Sequence, residues 1–175
     1  GETGLAVAAW HASFIDVFII SVFNSLEIRS QLSQGKDEPE CAVLGLGGFG
    51  RKELSPFSDI DLLFLFPRSR ESAAEEIIRQ VLYPLWDVGY DLGYTVQSLD
   101  ECLQMAASDF SFLTSLLDLR RVTGNPSLFQ TLKSQVGRLL KQDLGERWRE
   151  WVLGEREKRH RRYGDSAFFL EPHLK

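Results

Sequence analysis

The spacing of apolar residues predicts a long first helix followed by two short strands. From Leu5 to about Leu32 apolar residues recur every three or four positions, which is typical of an amphipathic helix that covers a sheet or a partner. The apolar face of this helix is predicted to contain Trp10, Phe14, Val17, Phe18, Val22 and Leu26. After a charged breaker segment at 34–39, apolar runs at 41–46 and 60–66 predict two strands.

The rest of the chain is predicted to be mainly helical. Helical spacing extends over 71–87, where Pro84 is expected to bend or shorten the last turn. Residues 93–98 predict a third strand, and the chain from Leu99 is expected to be helical almost to its end. Within that part, Gly-Asn-Pro at 124–126 marks a helix stop and a new start.

This order of elements predicts an α/β (α+β) fold, with a small mixed sheet and flanking helices followed by a helical segment. We expect one domain at residues 1–105 and a helical domain at residues 106–175, truncated at its C-terminal end.

Composition narrows the possible partners and location. A net charge of -5 and a pI near 5.3 argue against a protein that coats nucleic acid or an anionic membrane, so any bound anion must be held locally. Cys41 and Cys102 lie far apart, without metal spacing, which fits a reducing cytoplasm. The longest apolar stretch, 14–23, is too short to span a bilayer, and no basic segment typical of a signal peptide precedes it.

The glycine-rich segment 45–50 matches the G-x-G-x-x-G pattern of dinucleotide-binding folds. That fold requires a long helix between the last glycine and the next strand. Here Pro56 comes six residues after Gly50 and the next strand follows almost at once, so a parallel crossover does not fit.

The glycines suit an anion-binding turn, because a backbone without Cβ atoms can bring its N–H groups close to a phosphate. Arg51 and Lys52 follow directly and could neutralise a triphosphate, while Glu53 is expected to pair with one of them. The alternative is a tight turn that only connects two strands.

Two aspartates stand at the start of the second strand. Because side chains alternate along a strand, Asp59 and Asp61 leave one face. The opposite face is formed by Ile60, Leu62, Phe64 and Phe66. Two carboxylates this close repel each other unless a cation or other hydrogen-bond donors compensate, and Mg²⁺ accepts one or two carboxylates beside substrate phosphates. A short bend after the glycines would place the phosphate site beside the metal. The alternative is that these are two ordinary exposed aspartates at the start of a strand, which without a neighbouring phosphate-binding turn would not need to bind a metal.

Residues 47–63 resemble the bacterial PII-protein uridylyltransferases, nitrogen sensors whose transferase region is of the polymerase-β-type nucleotidyltransferase superfamily. The resemblance continues in the same order through 85–89, 93–96, 99–102, 159–164 and 171–175. It covers the chain nearly to its end and implies a sheet of nucleotidyltransferase type.

The resemblance implies transfer of UMP from UTP to a tyrosine hydroxyl of a trimeric PII signalling protein, with release of pyrophosphate. It implies Asp59 and Asp61 as catalytic ligands of Mg²⁺ or Mn²⁺. The candidate nucleotide-binding residues are Gly47, Gly48, Arg51 and Ser58.

Two departures from the family leave alternatives open. The third strand, at 93–98, lacks the third carboxylate usual in polymerase-β-type enzymes, and only Asp91 and Asp100 lie at its margins. The chain could therefore be a nucleotide-binding sensor or scaffold without transferase activity, or a transferase acting on a small molecule or RNA. The family's His-Asp and ACT domains are absent, so the chain is either a fragment or a minimal relative that only adds nucleotide.

Seven basic residues between Arg147 and Arg162 exceed the three acidic ones in the same stretch by four. They form either a solvated helix face with ion pairs or a surface that contacts nucleotide phosphates or an acidic partner. The three histidines have no metal-ligand spacing.

Overall fold

The computed structural model describes residues 4–25, 41–55, 57–68 and 71–163. The predicted breaker segment at 34–39 and the resembling stretch at 171–175 lie outside the described residues.

The strands form one small mixed sheet, as predicted, but the sheet has four strands instead of the three that the sequence indicated. They are β1 (Ala42–Gly45), β2 (Ile60–Phe66), β3 (Leu92–Ser98) and β4 (Arg120–Gly124), in the order β3-β2-β1-β4. Strand β1 is antiparallel to both β2 and β4, whereas β2 and β3 are parallel. The antiparallel pairing of β1 with β2 confirms that the glycine segment does not lead into a dinucleotide-binding crossover.

Several helices flank this sheet, and further helices follow along the described part of the chain. They are α1 (Gly4–Phe23), α2 (Gly47–Gly50), α3 (Glu71–Asp87), α4 (Leu99–Ser108), α5 (Phe110–Ser115), α6 (Pro126–Leu139) and α7 (Gly145–Tyr163), with a 3₁₀ turn at Leu116–Asp118 and a π-helical turn at Leu140–Leu144. Helix α3 runs through Pro84 to Asp87. Helix α6 starts after Asn125, whose Oδ1 accepts a hydrogen bond from the N–H of Leu128 at 2.9 Å, which confirms the predicted helix start. The element that ends at Gly124 is strand β4 and not the predicted helix.

The expectation of continuous helix after Leu99 is wrong at β4. This five-residue strand starts with Arg120 and Arg121 and shows no alternation of apolar and polar residues. Its hydrogen bonds come from β1, a segment distant in sequence, so local spacing could not predict it. By internal packing the chain consists of two units, Gly1–Val136 and Gly137–Lys175, and the division after residue 105 stays a prediction.

The buried face of α1 also differs from the predicted one. Trp10, Phe14 and Val17, expected to cover the sheet, have 54–69% of their surface exposed. The buried residues of α1 are Ala8, Ala12, Ile15, Asp16, Ile19 and Phe23. Because the helix is apolar on most sides, spacing alone did not select its packed face, and the small alanines allow close approach to the core.

Helix α1 is 20 residues long and, by length and composition only, apolar enough to cross a membrane. The prediction that the longest apolar segment is too short to span a bilayer was based on residues 14–23 and underestimated the length of this helix. Core helices share these properties. Ile15, Ile19 and Phe23 are at most 1% exposed and pack with residues of β2 and α3 in the main core cluster.

Both cysteines are buried and free. Burial raises the pKa of the Cys41 thiol above its ordinary value and raises that of Cys102 to about 12. Both thiols therefore stay protonated at neutral pH and behave as small apolar side chains.

The basic helix α7 carries exposed ion pairs along its own length. Arg149 pairs with Glu146, Lys158 with Glu155 and Arg161 with Glu157, at distances of 3.6, 2.7 and 3.3 Å. These pairs agree with a solvated helix face for the residues concerned.

The core of the sheet gives a first prediction. Phe64 is fully buried in the main cluster, whereas Phe57 is 89% exposed. We expect Phe64→Ala to lower the free energy of unfolding by about 3–5 kcal/mol, because it removes buried contacts and leaves a cavity. Phe57→Ala is the matched control and should change it by less than about 0.5 kcal/mol. Urea unfolding followed by circular dichroism measures both, and equal losses would contradict this core.

Candidate active site

Asp59 and Asp61 lie on either side of the start of β2. Asp59 directly precedes the strand and is exposed, whereas Asp61 is its second residue and is half-buried. Ile60, between them, is fully buried in the main core cluster. The alternation predicted from the sequence is therefore confirmed, since the aspartates point away from the face that packs on the core.

The carboxylate of Asp61 lies between two glycines. A Cβ atom on Gly47 would come within 3.3 Å of Asp61 Oδ2, and the φ angle of 52° at Gly47 also favours glycine. On the other side, Gly93 of β3 pairs in register with Asp61, and a Cβ there would approach Asp61 Oδ1 to 2.5 Å. The glycine turn and the carboxylate are therefore direct neighbours.

Gly93 occupies the position on β3 beside Asp61, where a third acidic side chain is missing. The residue of β3 that stands beside Asp61 has no side chain, and the Asp61 carboxylate fills the space that one would need. Asp91 receives a hydrogen bond from Ile60 N–H through its backbone oxygen, at 2.9 Å, and Asp100 lies in the first turn of α4. Within the described part of the chain, no group of three or more His, Cys, Asp or Glu side chains is placed to hold a metal.

The electrostatics of the pair suit a cation. Burial, and then the negative charge of Asp59, raise the pKa of the Asp61 carboxyl above its ordinary value. A bound cation would offset both effects, because it neutralises the repulsion and replaces lost hydration. Two carboxylates fit the needs of Mg²⁺, which takes one or two protein carboxylates and completes its shell with water and phosphates.

The glycine turn is the short helix α2. Its backbone is closed by hydrogen bonds from Gly50 N–H to Leu46 O at 2.8 Å and from Glu53 N–H to Gly48 O at 2.8 Å. The N–H groups in the first turn of a helix have no acceptor within the helix and can point towards a ligand. Phe49 is fully buried and fixes the turn on the core. The nucleotide-binding roles of Gly47 and Gly48 stay predictions.

The basic side chain after the turn is already engaged. Arg51 Nε donates to Glu53 Oε2 at 2.8 Å, which confirms the expected pairing of Glu53, and Arg51 Nη1 donates to Asp118 Oδ2. A phosphate contact by Arg51 stays a prediction, and it requires exchange of these carboxylates for phosphate. Ser58, also predicted to contact the nucleotide, is half-buried and its N–H donates to Ser55 O at 3.0 Å.

Comparison with known proteins identifies relatives along the whole chain, although no protein-family model matches it. Bifunctional uridylyltransferase/uridylyl-removing enzymes are 41% identical over 133 residues in Azospirillum brasilense, 35% over 175 in Rhodospirillum rubrum and 34% over 176 in Phenylobacterium zucineum. The matches cover 76%, 99% and 100% of this chain, respectively. The chain is homologous to the bifunctional uridylyltransferase/uridylyl-removing enzymes. The resemblance to a uridylyltransferase, predicted from the motifs, is therefore confirmed.

The chain spans only 14–19% of the length of these uridylyltransferase relatives. A solved structure, described as the crystal structure of the toxin-antitoxin with AMP-PNP, covers 75% of this chain and is covered to 97%, with a TM-score of 0.43 and 14% identity. This likeness is too weak to support an argument.

Sequence reasoning missed two charged residues that support the turn. Arg120 of β4 forms a two-pronged ion pair with Asp16 of α1, and its guanidinium also binds backbone oxygens of α2. Neither residue belongs to a motif, and 104 positions separate them in the sequence. No local signal could have paired them.

The raised pKa of Asp61 predicts a stability that depends on pH. Below its ordinary pKa of 3.8, Asp61 is protonated in both the folded and the unfolded state and does not lower the free energy of unfolding. As the pH rises past that value, the unfolded state ionises more readily, so Asp61 lowers the stability of the metal-free protein. We expect metal-free Asp61→Asn to unfold at higher urea concentration than wild type at pH 7, with the difference shrinking towards pH 3.

Metal-free Asp59→Asn should also unfold at higher urea concentration than wild type at pH 7, because it removes the negative charge that is the second cause of the raised pKa of Asp61. Added Mg²⁺ should stabilise wild type but not Asp61→Asn. A lower stability of Asp61→Asn at pH 7 without metal would contradict this electrostatic account.

Proposed function

We propose that this site is the nucleotide-transferring centre of an enzyme that moves UMP from UTP to a tyrosine hydroxyl of a PII-type signalling protein, releasing pyrophosphate. The proposal depends most on the position of the Asp61 carboxylate beside Gly47, where a Cβ atom would come within 3.3 Å of Asp61 Oδ2. A carboxylate that can bind a metal ion thus lies next to a turn that can bind phosphate. The names of the relatives support uridylyl transfer as the reaction.

In this proposal Asp59 and Asp61 hold Mg²⁺ or Mn²⁺. When bound there, the ion supplies positive charge to the triphosphate and to the leaving pyrophosphate. The backbone N–H groups of Gly47 and Gly48 orient the triphosphate, and Arg51 and Ser58 make further contacts with it.

Oriented in this way, the α-phosphorus of UTP is attacked by the tyrosine oxygen. A new P–O bond forms, the bond between the α-phosphorus and the bridging oxygen breaks, and pyrophosphate leaves with that electron pair. The hydroxyl proton is released to water, because Gly93, the neighbour of Asp61 on β3, provides no base. Such transfer relies mainly on positioning and charge stabilisation, so it can proceed without a dedicated base.

A second candidate function is a nucleotide-binding sensor or scaffold without transfer. The presence of Gly93 at the position beside Asp61 favours it, since the space that a third carboxylate would need is filled by Asp61 itself. Both functions require binding of a nucleoside triphosphate, and only the first requires turnover.

Transfer of labelled UMP from UTP to a PII protein tests the proposal. We expect incorporation by wild type in Mg²⁺, and a loss of at least about a hundredfold in Asp59→Asn and Asp61→Asn, because each removes a carboxylate that holds the ion whose positive charge stabilises the transition state. Asp100→Asn is the matched control, since this exposed aspartate lies at the far end of β3, and it should retain activity. Binding of UTP by wild type without any transfer would favour the sensor instead.

A further inference from the structure

The side chain of Arg120 makes four hydrogen bonds that connect three parts of the fold. Its Nη1 and Nη2 donate to the two carboxylate oxygens of Asp16 in α1, at 2.9 and 3.0 Å. Its Nε donates to Gly50 O at 3.0 Å, and Nη2 also donates to Phe49 O at 3.0 Å. A guanidinium is suited to this arrangement, because its donors form a rigid planar fork.

Both backbone oxygens belong to the glycine turn. Helix α2 has four residues, far fewer than an isolated helix needs for stability in water, so contacts from outside must hold its shape. Arg120 binds the carbonyl end of α2, and its guanidinium also lies 5.1 Å from the centre of the Phe49 ring. The opposite end of α2 begins at Gly47, beside Asp61.

Asp16 keeps Arg120 in place. Its side chain is buried in α1 except for about a tenth of its surface, and Arg120 shows 23%. A carboxylate in such a setting needs a partner, and the two-pronged pair fixes the direction of the guanidinium. Lys52, which follows the turn with a φ of 61°, places Nζ 3.7 Å from Asp16 Oδ2. The carboxylate of Asp16 is thus shared by the strand and the turn.

We propose that Arg120 is a positioning residue for the nucleotide. Held by Asp16, it fixes the carbonyl end of α2, so that the N–H end keeps the orientation towards a triphosphate beside Asp61. The inference rests on the proposed function and assigns to it a residue that lies outside the pair Asp59 and Asp61 and acts on the nucleotide only through the glycine turn.

A pair of substitutions separates positioning from simple stabilisation. Arg120→Met leaves Asp16 buried without its main partner, so this variant should unfold more easily than wild type. The double variant Asp16→Leu with Arg120→Met removes both charges and should recover most of the lost stability. It still lacks the donors to Phe49 and Gly50, so its affinity for UTP in Mg²⁺ should stay about ten- to a hundredfold weaker, as for other supporting contacts around a site.

Two measurements are made on every variant: urea unfolding, and calorimetric titration with UTP in Mg²⁺. Arg121→Met is the matched control, because the neighbouring arginine is exposed and its Nη1 donates to Gly124 O, within β4, at 3.1 Å. Arg121→Met should change neither the free energy of unfolding nor the affinity for UTP.

Hydrogen exchange adds a third measurement. It should show faster exchange of amides 47–53 in the double variant and unchanged exchange in β2.

Wild-type affinity for UTP in the double variant would overturn the inference and leave the proposed function intact. If wild type itself binds no UTP in Mg²⁺, both the proposed function and this inference are wrong.

Discussion

The ion pair between Arg120 and Asp16 is the interaction on which the candidate site depends. It joins β4 to α1, and the same guanidinium binds the carbonyl end of the glycine turn. A turn of four residues has too few hydrogen bonds of its own to hold one geometry. Its shape is therefore set by α1 and the sheet, both of which are anchored in the main core.

The second constraint is space around Asp61. Gly47 and Gly93 leave room for the carboxylate on both sides, and a larger side chain at either position would meet its oxygens. Burial and the charge of Asp59 make the ionised pair unfavourable without a cation, which raises the pKa of Asp61. A Mg²⁺ ion bound beside phosphates would offset both the loss of hydration and the repulsion between the carboxylates.

The sequence was most informative for features that depend only on residues within one strand or turn. The bounds of β2 follow from its apolar run, and the common face of Asp59 and Asp61 follows from the alternation of side chains along a strand; both are confirmed. The packed face of α1 was predicted wrongly, because an almost uniformly apolar helix gives spacing no contrast. Strand β4 and the role of Arg120 depend on partners distant in sequence, so no local pattern could reveal them.

Binding of a nucleoside triphosphate with magnesium by the glycine turn and the two aspartates is the step on which every proposed role of this site depends. Calorimetric titration with UTP, ATP and CTP, with and without Mg²⁺, tests it most directly, and also reveals the preferred base. We expect binding of at least UTP, and this binding should require Mg²⁺ and be lost in Asp61→Asn. Absence of binding for all three nucleotides in Mg²⁺ would contradict it.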